Sequence, residues 1–249
     1  MALRPVQVNF KALDDSVVGR FWAEALGWGV SSEAPGVTDV APGGDFVQPD
    51  ATAVRVDVDV VTVQEAKTAT KNRLHIDLAS TSASHQEELV ARLKALGATP
   101  VDVGQGEVPW TVLADPEGNE FCVLEPREIY RDTGPIAAIV VDCADPRAMA
   151  RFWGEAIDWT VHEVTDEHAS LRSAQGVGPY LEFLRSTDGH TVPDRLRLDL
   201  LPYSCDDQEA EAARLRALGA TDIDRGQGDV PWRCMADPES HEFRVLGTR

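Results

Sequence analysis

An imidazole and a carboxylate stand on strand faces where side chains of these types need a polar cleft or a partner. The stretch RLHIDL at 73–78 returns as RLRLDL at 195–200, so that His75 is answered by Arg197. Strand alternation puts His75, Asp77 and Ala79 on one face and Leu74, Ile76 and Leu78 on the other. In the later stretch Arg197 and Asp199 take the polar face. A position that accepts either His or Arg faces solvent or a polar cleft rather than dry core. Further along, Glu120 shares its face with Cys122 and Leu124, opposite Phe121 and Val123, and Glu242 with Phe243 repeats the arrangement. A carboxylate on an otherwise apolar strand face costs several kcal/mol if buried alone, so a cation, a donor or water must stand beside it. The same residues also fit a plainer reading, in which His75 is a hydrogen-bonded strand residue and the glutamates tie down a turn.

The elements that must position these residues occur twice. FWAEALGW at 21–28 answers FWGEAIDW at 152–159, ARLKALGAT at 91–99 answers ARLRALGAT at 213–221, and GQGEVPW at 104–110 answers GQGDVPW at 226–232. ADPEGNEFCVLE at 114–125 answers ADPESHEFRVLG at 236–247, and the second copy is shorter between Trp159 and Arg195. All six tryptophans pair under the repeat, which makes two copies of one unit, joined near EPREIYRDTGP, the economical reading. The expected domains are 1–130 and 131–249. In each copy a β-rich opening (VQVNF, IAAIVV) precedes a helix capped by Asp14 or Asp15, or by Asp145 ahead of Pro146. Val17, Val18, Phe21, Trp22, Ala25 and Leu26 form its apolar stripe, matched by Met149, Phe152, Trp153 and Ile157. Strands near 53–63 and 73–80 lead to a second helix, where Ser84 and Glu87 have capping-box spacing and Gly97 and Gly219 supply stops.

Trp22 and Trp153 read as core, whereas Trp110 and Trp232, beyond glycine-rich loops, can line a cleft and stack on a flat ligand. The GQG loops are poor phosphate loops, and no nucleophile elbow is present. His85, His162, His168, His190 and His241 read as surface residues. Forty-two acidic residues against 23 basic ones give a formal charge of −19, which disfavours nucleic acid and anionic membranes as partners. No apolar run approaches the roughly 20 residues of a membrane span, and a cytoplasmic location is expected. Cys122, Cys143, Cys205 and Cys234 lack metal or redox spacing and read as reduced filler.

An FW helix ending in LGW, the KNRLHIDL strand, the LGAT helix end and the closing DPEGNEFCVLE together resemble the glyoxalase/bleomycin-resistance family of the vicinal oxygen chelate superfamily, over nearly all of both copies. The resemblance implies an α+β fold of paired βαβββ modules whose sheets curl around clefts, a pseudo-dimer within one chain that is compatible with a monomer. It implies a small-molecule ligand and, in metal-using members, ligands from the first strand and from the strands equivalent to RLHIDL and NEF. Those positions fall on Gln7, His75 and Glu120, a set suited to Fe, Mn, Ni or Zn, with Glu120 the catalytic candidate. Asp57 or Asp59 could add a fourth oxygen. The first-strand position of the second copy is Ala138. Only if each copy pairs its own strands do Gln7, His75 and Glu120 meet; under crossing, Gln7 joins Arg197 and Glu242. Two classes of function follow: metal-assisted lyase, isomerase or dioxygenase chemistry in the first copy, or metal-free binding or resistance by Trp110, Trp232, Arg197 and Glu242. Lactoylglutathione lyase activity is disfavoured, since four ligands in one cleft require an uncertain aspartate.

Overall fold

The computed structural model describes residues 3–43, 56–189, 192–203, 207–224, 226, 228 and 230–247. The first copy runs β1 (Leu3–Ala12), α1 (Asp15–Leu26), β2 (Gly29–Ala34), β3 (Val37–Ala41), β4 (Asp57–Thr62), β5 (Leu74–Leu78), α2 (Ala83–Ala95), β6 (Thr99–Pro100), β7 (Thr111–Ala114) and β8 (Glu120–Val123). A 3-10 turn at Glu128–Tyr130 sits in the linker. The second copy runs β9 (Ile136–Cys143), α3 (Pro146–Ala156), β10 (Trp159–Val164), β11 (His168–Ser173), β12 (Tyr180–Arg185), β13 (Leu196–Pro202), α4 (Gln208–Leu218), β14 (Thr221–Asp222), β15 (Trp232–Ala236) and β16 (Glu242–Leu246).

Asp14 accepts from Val17 N at 3.0 Å and Asp145 from Ala148 N at 3.0 Å, each satisfying an orphan donor of the helix that follows. The second helix starts earlier than its capping-box spacing predicts. Ser82, two residues before Ser84, accepts from His85 N at 3.0 Å and is the N-cap. Val17, placed on the apolar stripe by its spacing, is 46% exposed.

The sixteen described strands form two eight-stranded sheets, ordered β14-β15-β16-β13-β1-β4-β3-β2 and β10-β11-β12-β9-β5-β8-β7-β6. Each takes four strands from each copy. The seam of one is the antiparallel pair β1–β13, with Gln7 opposite Asp199 and Asn9 opposite Arg197. The seam of the other is β5–β9, with His75 opposite Val140 and Asp77 opposite Ala138. The copies therefore cross. We refer to the two as the arginine sheet and the histidine sheet.

An aromatic core joins the sheets on their apolar faces. Trp22 is fully buried 5.1 Å from Phe10 of the arginine sheet and 5.2 Å from Phe121 of the histidine sheet. Trp153 repeats this with Phe183 at 6.4 Å and Phe243 at 5.4 Å. The indole N–H groups donate to Asp115 and Asp237 at 3.4 and 3.2 Å, so neither polar tip is stranded. These aspartates open the repeated DPE motif. Asp115 accepts from Glu117 N and Asn119 N, both at 2.9 Å, and closes the turn that aims Glu120. Glu117 then accepts from Leu13 N and Asp14 N at 2.7 and 2.8 Å, locking that turn to the start of α1. Asp237 and Glu239 make the equivalent bonds in the second copy.

Candidate functional site

Opposite the aromatic core, the arginine sheet carries polar side chains in two neighbouring rows. Strand register sets Glu242, Arg197, Asn9, Asp59 and Asp39 across one row, and Arg244, Asp199, Gln7 and Asp57 across the next. The amide of Gln7 donates to Asp59 at 3.1 Å and to Asp199 at 3.0 Å, and Asn9 donates to the same Asp59 oxygen. Both Asp57 and Asp59 lie on this face, with Val58 and Val60 in the core. Burial, reinforced by the hydrogen bond and charge of Asp39, raises Asp59 to about 8. Burial raises Asp199 as well, against the attraction of Arg197.

Arg197 is 4% exposed, and burial lowers its pKa despite Asp199 beside it. Its Nε stands 3.5 Å from Asp199 Oδ1, an ion pair with no well-formed hydrogen bond. Arg197 Nε and Nη2, Arg244 Nε and Trp232 Nε1 are all buried donors without an acceptor. A cavity of about 790 Å³ is lined by Lys11, Arg195, Arg197, Trp232, Cys234, Glu242 and Arg244, with the segments around residues 65–72 and 192–194. Arg244 packs its guanidinium 4.6 Å above the Trp232 ring. Lys11 reaches from β1 to Glu242 at 3.4 Å.

The histidine sheet carries the equivalent positions with different chemistry. Its rows read Glu120, His75, Val140, Glu182 and Ser170, then Cys122, Asp77, Ala138 and Tyr180. Tyr130 of the linker packs over this face. It is 7% exposed, stands 5.7 Å edge-on to Tyr180, and donates its hydroxyl to Glu182 at 2.8 Å. His168 approaches the other oxygen of Glu182 at 3.5 Å, and that bond raises the His168 pKa. Arg127 covers both Trp110, at 5.6 Å, and Tyr130, at 5.8 Å, while Gln105 accepts from the Trp110 indole at 2.9 Å.

Crossing separates the expected ligand set. Gln7 lies on the arginine sheet with Arg197 and Glu242, and His75 and Glu120 lie on the histidine sheet, where Ala138 takes the first-strand place. Glu120 is also neutralised. Lys67 stands 2.8 Å from one oxygen and Asn72 N donates to the other at 3.2 Å, so these groups supply what a buried carboxylate needs. The set does not fit a metal. A different one comes together: single donor atoms of His75, Asp77 and Cys122 all lie within 4.8 Å of one another, and all three residues are buried. Burial, then Lys71, pushes His75 down to about 3, leaving a neutral imidazole. Burial, then Glu182, raises Asp77 to about 7, and burial raises the Cys122 thiol. His75 Nδ1 and Asp77 Oδ1 have no hydrogen-bond partner. A mixed N, O and S set fits a borderline ion such as Zn²⁺, which would have to displace the thiol proton.

Several functional candidates escaped sequence reasoning. Tyr130 carried no signal, because the linker has no counterpart in the repeat. Asn9, Arg244 and Asp199 were visible only as strand residues. His241, expected at the surface, is 5% exposed and held by Asp142 O at 2.8 Å and by Arg73 at 2.7 and 2.9 Å. Its ring turns inward against Asp142 of β9, a strand of the other sheet. Cys122 and Cys143 are buried, Cys234 lines the cavity, and Cys205 and His190 lie outside the described residues.

Among the described residues no helix is long and apolar enough to cross a membrane. No curated protein matches the sequence. Glyoxalase I from Zea mays matches the fold with a TM-score of 0.63 at 14% identity, over 99% of this chain and 92% of that one. A candidate dioxygenase from Bacillus subtilis matches with a TM-score of 0.62 at 11% identity, over 99% and 85%. At such identities the likeness is one of fold alone. The model of the glyoxalase-like domain matches residues 7–124 and again 138–246, so the chain belongs to the glyoxalase-like family of the vicinal oxygen chelate fold and carries the domain in tandem.

Proposed function

We propose that this chain binds a small organic anion with a flat ring in the cavity of the arginine sheet, without needing a metal there. The observation that carries the reading is the buried Arg197 guanidinium, whose Nε and Nη2 lack hydrogen-bond partners on a cavity wall that also holds the unsatisfied Arg244 Nε and Trp232 Nε1. Leaving a buried donor unmade costs about 1–3 kcal/mol, more for a charged group, and a carboxylate supplies the missing acceptors bidentately. In this reading Arg197 and Arg244 hold the acid, Trp232 offers its indole, and Glu242 keeps Lys11 at the rim. Trp110, committed to Gln105 and Arg127, plays no part. Indole-3-propionate is a suitable probe. Calorimetry should show binding to the wild type and a loss of about tenfold or more in Arg197→Met, which keeps the bulk and removes the donors. A wild type that ignores the probe sinks the reading.

A second reading rests on the His75, Asp77 and Cys122 cluster. A divalent ion held there would supply Lewis acidity. His75 would be fixed by its neutral ring, Asp77 would provide charge, and Tyr130 would keep water from the face. Metal analysis after offering Fe, Mn, Ni and Zn separates the ligand sets. Near-stoichiometric metal lost in Cys122→Ala and kept in Glu120→Ala supports the cluster, and metal lost in Glu120→Ala restores the expected set.

A further inference from the structure

The wall of the arginine-sheet cavity repeats one feature that a single acid would leave half used. Arg195 and Arg197 both line the cavity. Arg195 stands directly before β13, where its carbonyl accepts from Lys11 N at 2.9 Å and so continues the pairing with β1. Two residues of extended chain separate it from Arg197, which puts both on one face with backbones roughly 7 Å apart. In each guanidinium the same two donors, Nε and Nη2, are buried without a hydrogen-bond partner. Those two atoms form the side-on fork that takes both oxygens of a carboxylate.

The surrounding protein leaves both forks under-matched. Arg195 spends Nη1 on Glu65 O at 2.6 Å, and its Nη2 comes no closer than 3.5 Å to Glu117 Oε2. Glu117 already accepts from Leu13 N and Asp14 N, one on each oxygen. Arg197 stands in the same relation to Asp199, 3.5 Å away, and Asp199 accepts from the Gln7 amide. Two acids that line the cavity also have other work: Glu242 pairs with Lys11, and Asp194 accepts from Glu242 N at 2.9 Å. Burial lowers the pKa of Arg195 as it does that of Arg197. Burial lowers Lys11 too, against the attraction of Glu242, and the charge of Arg197 acts in the same direction as burial. Crowded cations of this kind call for more negative charge than one acid brings.

We propose that the ligand of this cavity is a dicarboxylate on a flat ring, with one acid in the Arg197 fork beside Arg244, the second in the Arg195 fork beside Lys11, and the ring near Trp232. This rests on the anion-binding reading given above and adds to it a second acid and the residue that selects for it. A monoacid fills one fork and leaves the other unmatched, whereas a diacid fills both.

Indole-3-propionate and 3-(2-carboxyethyl)indole-2-carboxylate share one ring and one side chain and differ by a single carboxylate, so calorimetry with the full chain isolates what the second acid contributes. At pH 7 the diacid should bind about tenfold or more tighter than the monoacid, the gain expected of one further charge-assisted fork. In Arg195→Met, checked for an unchanged circular dichroism spectrum, that preference should fall toward one while indole-3-propionate keeps its wild-type affinity. The wild-type ratio tests the ligand class without any variant. Equal wild-type affinity for the two probes overturns the dicarboxylate and leaves the anion reading standing. A preference that survives in Arg195→Met overturns the role given to Arg195. Silence toward both probes overturns the two readings together.

Discussion

The arginine and histidine sheets share one scaffold and differ at the strand running through each centre. Where β1 brings Gln7 and Asn9, β9 brings Ala138 and Val140. The amides hold a network of buried acids beside a buried arginine, and the cavity stays open. The apolar pair asks for cover instead, and the linker provides it with Tyr130. The row position of Asp59 corresponds to that of Glu182, yet one acid has an oxygen without a hydrogen-bond partner and the other is bonded to a tyrosine from its own chain. Two residues on a central strand thus separate a face that carries a polar network beside a cavity from one that the linker covers.

The comparison can be broken most forcefully at the core. Trp22→Ala and Trp153→Ala should each cost about 3–5 kcal/mol by urea unfolding and should match within the error of the method, because both indoles bridge the two sheets alike. Clearly unequal losses would move the asymmetry into the scaffold and undo the contrast between polar faces. A smaller effect, on the order of 2–3 kcal/mol, should come from pH. The Asp59 carboxyl, raised by burial from 3.8 to about 8, keeps a proton in the native state that the unfolded chain releases above about 4. Its contribution is therefore fully present below the unfolded value and is lost as pH rises toward 8. Asp59→Asn should gain on the wild type between pH 5 and pH 8, and parallel curves would show that the acid network of the arginine sheet is not strained. Tyr130→Phe should then cost about 1–2 kcal/mol, by leaving the buried Glu182 short of a donor, and an unchanged unfolding midpoint would mean that the linker merely rests on the histidine sheet. The smallest change belongs to Arg20→Ala, which removes an exposed pair with Glu33 at 3.2 Å and should shift stability by no more than about 0.5 kcal/mol.

Much of the fold was legible because its signals are local. Asp14, Asp145 and the glycines at 97 and 219 mark helix ends wherever the helices go, and the FW and DPE repeats carry their own packing instructions. The faces of RLHIDL and NEFCVL were also readable, since alternation fixes which side chains travel together. The strand pairing was not. Crossed and uncrossed sheets use the same strands with the same patterns, and the choice is made by long-range contacts between β1 and β13 and between β5 and β9. That single ambiguity carried Gln7 to the wrong partners. The His75, Asp77 and Cys122 cluster was hidden for a related reason: each strand face was known, but the register that sets Asp77 beside Cys122 is a property of the sheet.

The crossing also bears on what covalent linkage permits. A sheet seam made of β1 from one copy and β13 from the other is the seam that two separate, identical chains would make across a two-fold axis. In such an assembly every substitution appears twice, so an arginine installed opposite Asn9 would abolish the histidine on the other side as well. Joined end to end, the copies are released from that symmetry, and Arg197 and His75 can specialise independently. The tether also holds the partner strands at a fixed effective concentration, so completion of both sheets becomes an intramolecular event that dilution does not oppose.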